Sequence, residues 1–315
     1  MNEISGIHHV TCIAGDAQAN LDFYTSVLGM RMVKKSVNQD VPDTYHLFFA
    51  DAEGHPGADL TFFPWPRMPA VTPGIGLAME VSLAVPTGSL ASYWTPRLRD
   101  AGVRMSAEES RFGERALPVH DPHGLPLALV ETTDAREFTA WDDSPVTADM
   151  QVRGLHSVRL WEHSLAGTVA FLVGTLGFRA VGREGDWHRY AVGGGGSGAH
   201  LDLREIPAGK RGQWGVGGIH HVAWRVADDE AQIAVQARVA QAHRRPTEVI
   251  DRFWFKSVYF LEPGGVLFEI ATDGPGFTAD ENLATLGESL VLPPWLEPQR
   301  SAIEAALPPL NYRHG

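Results

Sequence analysis

Two histidine pairs in nearly repeated surroundings are the strongest chemical signal in the chain. GIHHVTCIAG begins at Gly6 and GIHHVAWRVA at Gly218, so His9 and His221 hold equivalent places far apart in the sequence. A carboxylate, Glu269, stands in the apolar run VLFEIA at 266–271. An unpaired buried carboxylate costs several kcal/mol, so Glu269 requires a metal ion or a cationic partner. Two neutral imidazoles and one carboxylate leave three positions of an octahedral metal open, which lets a ferrous ion bind an organic substrate and dioxygen together. A lone strand histidine is ordinarily a hydrogen-bonded or surface residue. Duplication in equivalent places, together with the carboxylate, sets these three apart. His8 and His220 fall by strand alternation on the opposite face, with a core or supporting role. Thr11, two residues beyond His9, shares its face and is expected to line the pocket.

Positioning these side chains falls to a unit that occurs four times. Alternating apolar strands start at Gly6, at Gly76 (GLAMEVSLAVP), at Gly154 (GLHSVRLWEH) and at Gly218. A helical pattern follows each. Leu21, Tyr24, Val27 and Leu28 share one face, with Asp16 as N-cap and Gly29 as stop. Leu90, Tyr93 and Trp94 lead to Gly102, Leu165, Val169, Leu172 and Leu176 lead to Gly177, and a softer pattern spans Ala231 to Ala242. Further strands are YHLFF (45–49), ADLTFF (58–63), SVYFL (257–261) and VLFEIA. The chain therefore reads as α+β, four βαβββ modules. Each exposes an apolar sheet face and must pair with another, giving two paired bodies. The expected divisions are 1–140 and 150–275, each holding two modules, and a tail at 276–315, with a polar linker at 134–149. GGGGSG (193–198) suits a hairpin tip. SAIEAAL in the proline-punctuated tail suits a short helix docked on the surface or on a partner subunit.

Aligned by column, the modules place His9, Glu80, Ser157 and His221 together in the first strand. About Phe62, Ala128, Asp202 and Glu269 stand together in the last. Only the first and fourth modules supply imidazole, so no second metal is expected at Glu80, Ser157 and Asp202, which read as degenerate, surface-exposed positions. His55, His120, His123 and His188 lie in turns or polar stretches and carry no signal.

Composition narrows the partners. The 315 residues carry a formal charge of −12 at pH 7, which repels phosphate backbones and anionic membrane surfaces and excludes nucleic acid as a natural partner. The single cysteine, Cys12, excludes an internal disulfide framework and a multi-cysteine zinc site. MNEISGIHHV has no basic flank and apolar run of a signal peptide, and no apolar stretch approaches the ~20 residues of a membrane span. The expectation is a soluble cytoplasmic protein.

GIHHV, a helix ending in LGM, and PGGVLFEIAT resemble the vicinal-oxygen-chelate superfamily of glyoxalase, fosfomycin-resistance and extradiol dioxygenase proteins. The fuller set, HHVTCIAGDAQANLDFYTSVLG, YHLFFADAEGHPGADLTFFPWP, SRFGER, GIHHVAW, DRFWFKSVYF and LPPWLEPQR, resembles its hydroquinone-type ring-cleaving dioxygenases, from about Ile4 to Pro309. That resemblance implies iron(II), with manganese(II) as an alternative, held by His9, His221 and Glu269, the same trio that the columns single out. Dioxygen would be the co-substrate, a small aromatic diol the substrate, and the ring would open beside a phenolic hydroxyl. It also implies that the first and fourth modules pair around the metal while the second and third pair together. The catechol-cleaving layout, by contrast, takes its first histidine from the third module, where this chain has Ser157.

The resemblance further points to Arg252 and Tyr259 in the pocket, with Thr11, His220 and His8 nearby. Arg252 could hold a phenolate oxygen, and Tyr259 could donate to a developing oxyanion. A two-residue turn at Pro263-Gly264 would set Tyr259 opposite Phe268, on the wrong face, so the loop must have odd length or carry a bulge. Competing expectations are a glyoxalase-type isomerase or thiol transferase, and a non-enzymatic binder of aromatic compounds. The former usually needs a fourth protein ligand, where Phe62 is apolar. The tail and the apolar faces point to a homodimer or higher homo-oligomer.

Overall fold

The protein is described by a computed structural model over residues 3–134 and 136–312, so the extreme ends of the expected segments and Ala135 lie outside the described residues. The first module comprises β1 (Ile4–Ala14), α1 (Ala17–Asp22), β2 (Arg31–Asn38), β3 (Val41–Ala50) and β4 (Asp59–Pro64). The second has β5 (Leu77–Pro86), α2 (Thr95–Asp100), β6 (Glu109–Arg111), β7 (Glu114–His120) and β8 (Pro126–Thr132). The third has β9 (Gly154–Glu162), α3 (Leu165–Gly174), β10 (Arg179–Glu184), β11 (Trp187–Ala191) and β12 (His200–Glu205). The fourth has β13 (Gly218–Val226), α4 (Asp229–Gln241), β14 (Ile250–Asp251), β15 (Lys256–Leu261) and β16 (Leu267–Thr272), and α5 (Arg300–Ala306) lies in the tail.

Local signals do what the sequence predicts. The Asp16 carboxylate caps the first helix by accepting from the Ala19 amide at 2.8 Å, and the helix stops at Gly29, whose φ of 69° favours glycine. Between them the helix widens into a π-turn at Phe23–Val27, which the periodicity did not foretell.

Two eight-stranded sheets result, ordered β14-β15-β16-β13-β1-β4-β3-β2 and β10-β11-β12-β9-β5-β8-β7-β6. The first and fourth modules thus share one sheet, and the second and third share the other. At each centre two module-opening strands pair antiparallel, with Val10 opposite Val222 and Val81 opposite Val158. The offsets match, so each body has an approximate dyad at its middle. On one face of the first sheet, Val10, Val222, Trp224 and Phe268 join Leu21 and Tyr24 of the first helix and Val235 and Val239 of α4 in a buried apolar core. Burying each such side chain stabilises by about 1.5–3 kcal/mol, and this fixes which face is left for chemistry.

The glycine-rich stretch between β11 and β12 joins the two bodies. Gly198 accepts from the Ile7 amide at 2.7 Å, and a Cβ on Gly193 would meet the Ser5 carbonyl oxygen at 2.5 Å. α5 docks on its own chain: Ile303, Leu292 and Leu296 cover Val37, and the Tyr45 hydroxyl donates to the Pro308 carbonyl at 2.9 Å. No helix among the described residues is long and apolar enough to cross a membrane.

Candidate metal centre

The register of β1 against β13 shifts at three places, and two of these bulges fall at the histidines. Ile7 faces Trp224 and His9 faces Ala223, so His8 is an extra residue in β1. Thr11 faces His221 and Cys12 faces Ile219, so His220 is an extra residue in β13. Each bulge cancels the strand alternation. His8 and His220 therefore do not point to the opposite face, as simple alternation predicted, but sit behind His9 and His221. The Nδ1 atoms within each pair are 2.8 Å apart. Burial, with the neighbouring imidazole, pushes both His8 and His220 down to about 3, so both are neutral. Phe255 packs on His8 and His9, and Trp214 stacks on His220 with centroids 4.6 Å apart.

Glu269 reaches the same face because β16 runs parallel to β13, with Glu269 beside Ala223. Its Oε2 lies 3.2 Å from His9 Nε2 and 2.9 Å from His221 Nε2, and the two Nε2 atoms are 3.3 Å apart. All three side chains are buried. Cis ligands at about 2.1 Å from a metal stand about 3 Å apart, so this triangle has the dimensions of one face of a coordination shell. Glu269 Oε2 is buried with no hydrogen-bond donor, while Oε1 accepts from the Ser257 hydroxyl. Burial alone would raise the Glu269 carboxyl, but His9 and His221 outweigh it and hold it well below the usual range. Three lone pairs converging on one buried point fit a divalent cation. The Nδ1 contacts to His8 and His220 leave the Nε2 atom of each histidine facing Glu269.

A small pocket opens onto this triangle. His9, His221, Arg252 and Tyr259 line it, with His46 and the rings of Phe48, Phe63, Trp254 and Phe255. Tyr259 faces Glu269 directly, because Glu262 closes on Val266 and leaves the three-residue loop Pro263-Gly264-Gly265. The loop has the odd length this placement requires. Burial and Glu269 raise the Tyr259 phenol, so it keeps its proton, and the Arg252 guanidinium lies over its ring, 5.6 Å from the centroid. Arg252 makes a two-pronged ion pair with Asp40 at 3.0 and 3.3 Å. Burial opposes its charge, and the Asp40 carboxylate offsets that cost.

Thr11 is on the His9 face, yet it does not line the cavity. Its hydroxyl bonds Thr61 at 2.8 Å, and Thr61 bonds His46 Nε2 at 3.0 Å. The register makes Thr61, not Phe62, the counterpart of Glu269, since Thr11 pairs with Thr61 as Ala223 pairs with Glu269. By the same register His46 is the counterpart of Ser257, and both hydrogen-bond the residue in the Glu269 column. Neither was read from the sequence. Carrying the column alignment one strand further, in the correct register, would have found both.

The equivalent place in the other body is neither exposed nor empty. Asp202 and Ser157 are buried, and Glu80 is partly buried, contrary to their expected surface character. Arg189, facing Asp202 as Tyr259 faces Glu269, forks onto both Asp202 oxygens at 2.8 and 3.0 Å. Arg111 pairs with Glu80 in the same way. Guanidinium groups supply the positive charge that these carboxylates require.

The glyoxalase/bleomycin resistance protein/dioxygenase superfamily model matches residues 6–129 and 154–270, and the chain belongs to that superfamily. Its relatives narrow the comparison. It is 43% identical over 308 residues to MhqO of Bacillus subtilis (strain 168), whose name provisionally assigns ring-cleaving dioxygenase activity; the match covers 98% of this chain and 97% of MhqO. It is 34% identical over 301 residues to the chlorohydroquinone/hydroquinone 1,2-dioxygenase of Sphingobium indicum, covering 93% of each. A crystal structure from Bacillus subtilis, provisionally described as a dioxygenase, superposes with a TM-score of 0.93 at 41% identity over 100% of both chains. Glyoxalase I from Zea mays, at 15% identity and a TM-score of 0.63 over 85% of this chain and 92% of its own, shares the fold.

Proposed function

We propose that the chain is an iron(II)-dependent ring-cleaving dioxygenase that opens hydroquinones beside a phenolic hydroxyl, with dioxygen as co-substrate. The observation that carries this reading is the buried triangle of His9 Nε2, His221 Nε2 and Glu269 Oε2, with all its protein ligands on one side. Relatives named for ring cleavage and for hydroquinone support the substrate class. Held by His9, His221 and Glu269, iron(II) would supply the Lewis acidity and the electron transfer that reaction with dioxygen requires. Manganese(II) suits the same donors.

The chain's own groups perform the rest. His8 and His220 accept the Nδ1 protons of His9 and His221, which fixes ring orientation and leaves each Nε2 lone pair facing the metal position. Ser257 holds Glu269 Oε1 so that Oε2 faces the imidazoles. The Arg252 guanidinium attracts the anionic oxygen of an ionised substrate, and the protonated Tyr259 hydroxyl can give a proton to an oxygen that gains charge. Phe48, Phe63, Trp254 and Phe255 supply aromatic walls for a single ring and keep water out.

The test is anaerobic reconstitution with iron(II), followed by oxygen uptake against hydroquinones, catechols and a thiol hemiacetal. Oxygen consumption with hydroquinone, lost in His9→Ala, His221→Ala and Glu269→Gln together with bound iron, is the expected result. Full iron and turnover in His9→Ala, or hemiacetal turnover with no oxygen uptake, would refute the proposal.

A further inference from the structure

A second set of two imidazoles and one carboxylate meets on the corresponding face of the other body. His156 is the bulge residue of β9, the register counterpart of His8 and His220. Its Nδ1 is 3.1 Å from the Ser157 hydroxyl, and its Nε2 is 3.0 Å from Glu114 Oε1. His200 on β12 lies beside Ser157, and its Nδ1 is buried without a partner. Glu114 opens β7, three strands from β9 in the sheet order, so it meets the histidines because the sheet curls. Candidate ligand atoms of all three lie within 4.8 Å of one another.

We propose that Glu114, His156 and His200 form a second divalent-cation site of the zinc type, separate from the centre at His9. Two nitrogen donors and one oxygen donor favour late first-row cations over magnesium or calcium. Arg189 does not occupy the site's carboxylate oxygen. Its Nη1 holds Glu114 Oε2 at 2.8 Å and leaves Oε1 on the histidine side, while Asp202 neutralises the guanidinium. The Ser157 contact orients His156, which leaves Nε2 to ligate. A cation there would tie β7 of the second module to β9 and β12 of the third, a structural link distinct from any catalytic role.

The experiment is titration of the metal-free full chain with cobalt(II), read by visible absorption and by metal content, then repeated with zinc(II). Two equivalents per chain are expected for the unaltered protein. One should remain in His200→Ala and in the more conservative His200→Gln, and one in the His9→Ala/His221→Ala double variant. One equivalent in the unaltered protein and none in the double variant overturns the second site and leaves the first intact. Two equivalents retained in both His200 variants also overturns it. Should both His200 variants fail to fold, the double variant decides alone: one equivalent supports the site and none refutes it.

Discussion

Replacing Ser257 by alanine removes one oxygen atom and leaves every proposed metal ligand in place. The Ser257 hydroxyl donates to Glu269 Oε1, and both residues are fully buried, so water cannot substitute for it. A hydrogen bond to a charged group contributes about 1.5–3 kcal/mol, and losing a partner behind a metal ligand typically weakens metal binding about 10–100-fold. The second range corresponds to ~1.4–2.7 kcal/mol. The two agree because the serine's task is orientational: with Oε1 released, the carboxylate can rotate and Oε2 no longer faces His9 and His221. The assay is an anaerobic iron(II) titration against a competing chelator, paired with a thermal melt of the metal-free chain. Expected are a Kd raised about 10–100-fold in Ser257→Ala and an intermediate value in Ser257→Cys, whose thiol is a weak donor. A Kd within about twofold of the unaltered protein, alongside a lower melting point, would show that the serine only packs the core and would refute the orientational role.

Other perturbations separate the remaining parts. Tyr259→Phe should lower kcat by about 10²–10³ while metal content holds, since it removes one donor facing the reacting atoms; steady-state oxygen uptake decides. Arg252→Lys should raise KM about tenfold with a smaller change in kcat, because an ammonium cannot fork onto Asp40 and an anionic oxygen together. Arg189→Met removes both short hydrogen bonds to the buried Asp202 carboxylate, leaving it only Arg159 at 3.6 Å, and should destabilise by up to about 3–5 kcal/mol in denaturant unfolding, part of it recovered in Arg189→Met/Asp202→Leu. Glu162 is buried beside Glu262 with no hydrogen-bond partner, and burial and Glu262 push its carboxyl up to about 8. The folded chain then holds a proton that the unfolded chain releases above its ordinary carboxyl value of 4.5. Stability from this group is complete below that value and is lost as pH rises to about 8, by at most ~1.4 kcal/mol per pH unit. Glu162→Gln should flatten that slope, gaining on the unaltered protein by about 1–3 kcal/mol between pH 6 and 8 in paired denaturant titrations.

What the sequence disclosed and what it concealed divide along a physical line. His9, His221 and Glu269 were legible because residue type alone betrays them: an imidazole duplicated in equivalent places and a carboxylate inside an apolar strand. The faces of His8 and His220 were not, because a bulge is a property of pairing between β1 and β13 and leaves no mark on either strand alone. Register also displaced Phe62 into the column that Thr61 holds, since a slip of one residue turns a strand over. Tyr259 was open for the same reason, until the closure of Glu262 on Val266 fixed the loop length. Glu80 and Asp202 looked exposed because their neutralising partners, Arg111 and Arg189, arrive from other strands.

The two bodies show that the fold creates a demand for positive charge at its dyad and leaves the sequence to choose how to meet it. At the second dyad Arg189 supplies that charge to Asp202, on the position that Tyr259 holds opposite Glu269. At the first dyad the corresponding side chain is an uncharged phenol, so the carboxylate faces two imidazoles and no guanidinium. Arg252 is directed instead toward Asp40 at the cavity rim. An arginine at 259 would fill the space that a metal and its substrate need; a tyrosine leaves it open and keeps a proton at its edge. The difference between a dyad closed by an ion pair and one left open therefore rests on one register position, and each dyad exists only once strands from different modules pair, β1 with β13 in the first body and β5 with β9 in the second.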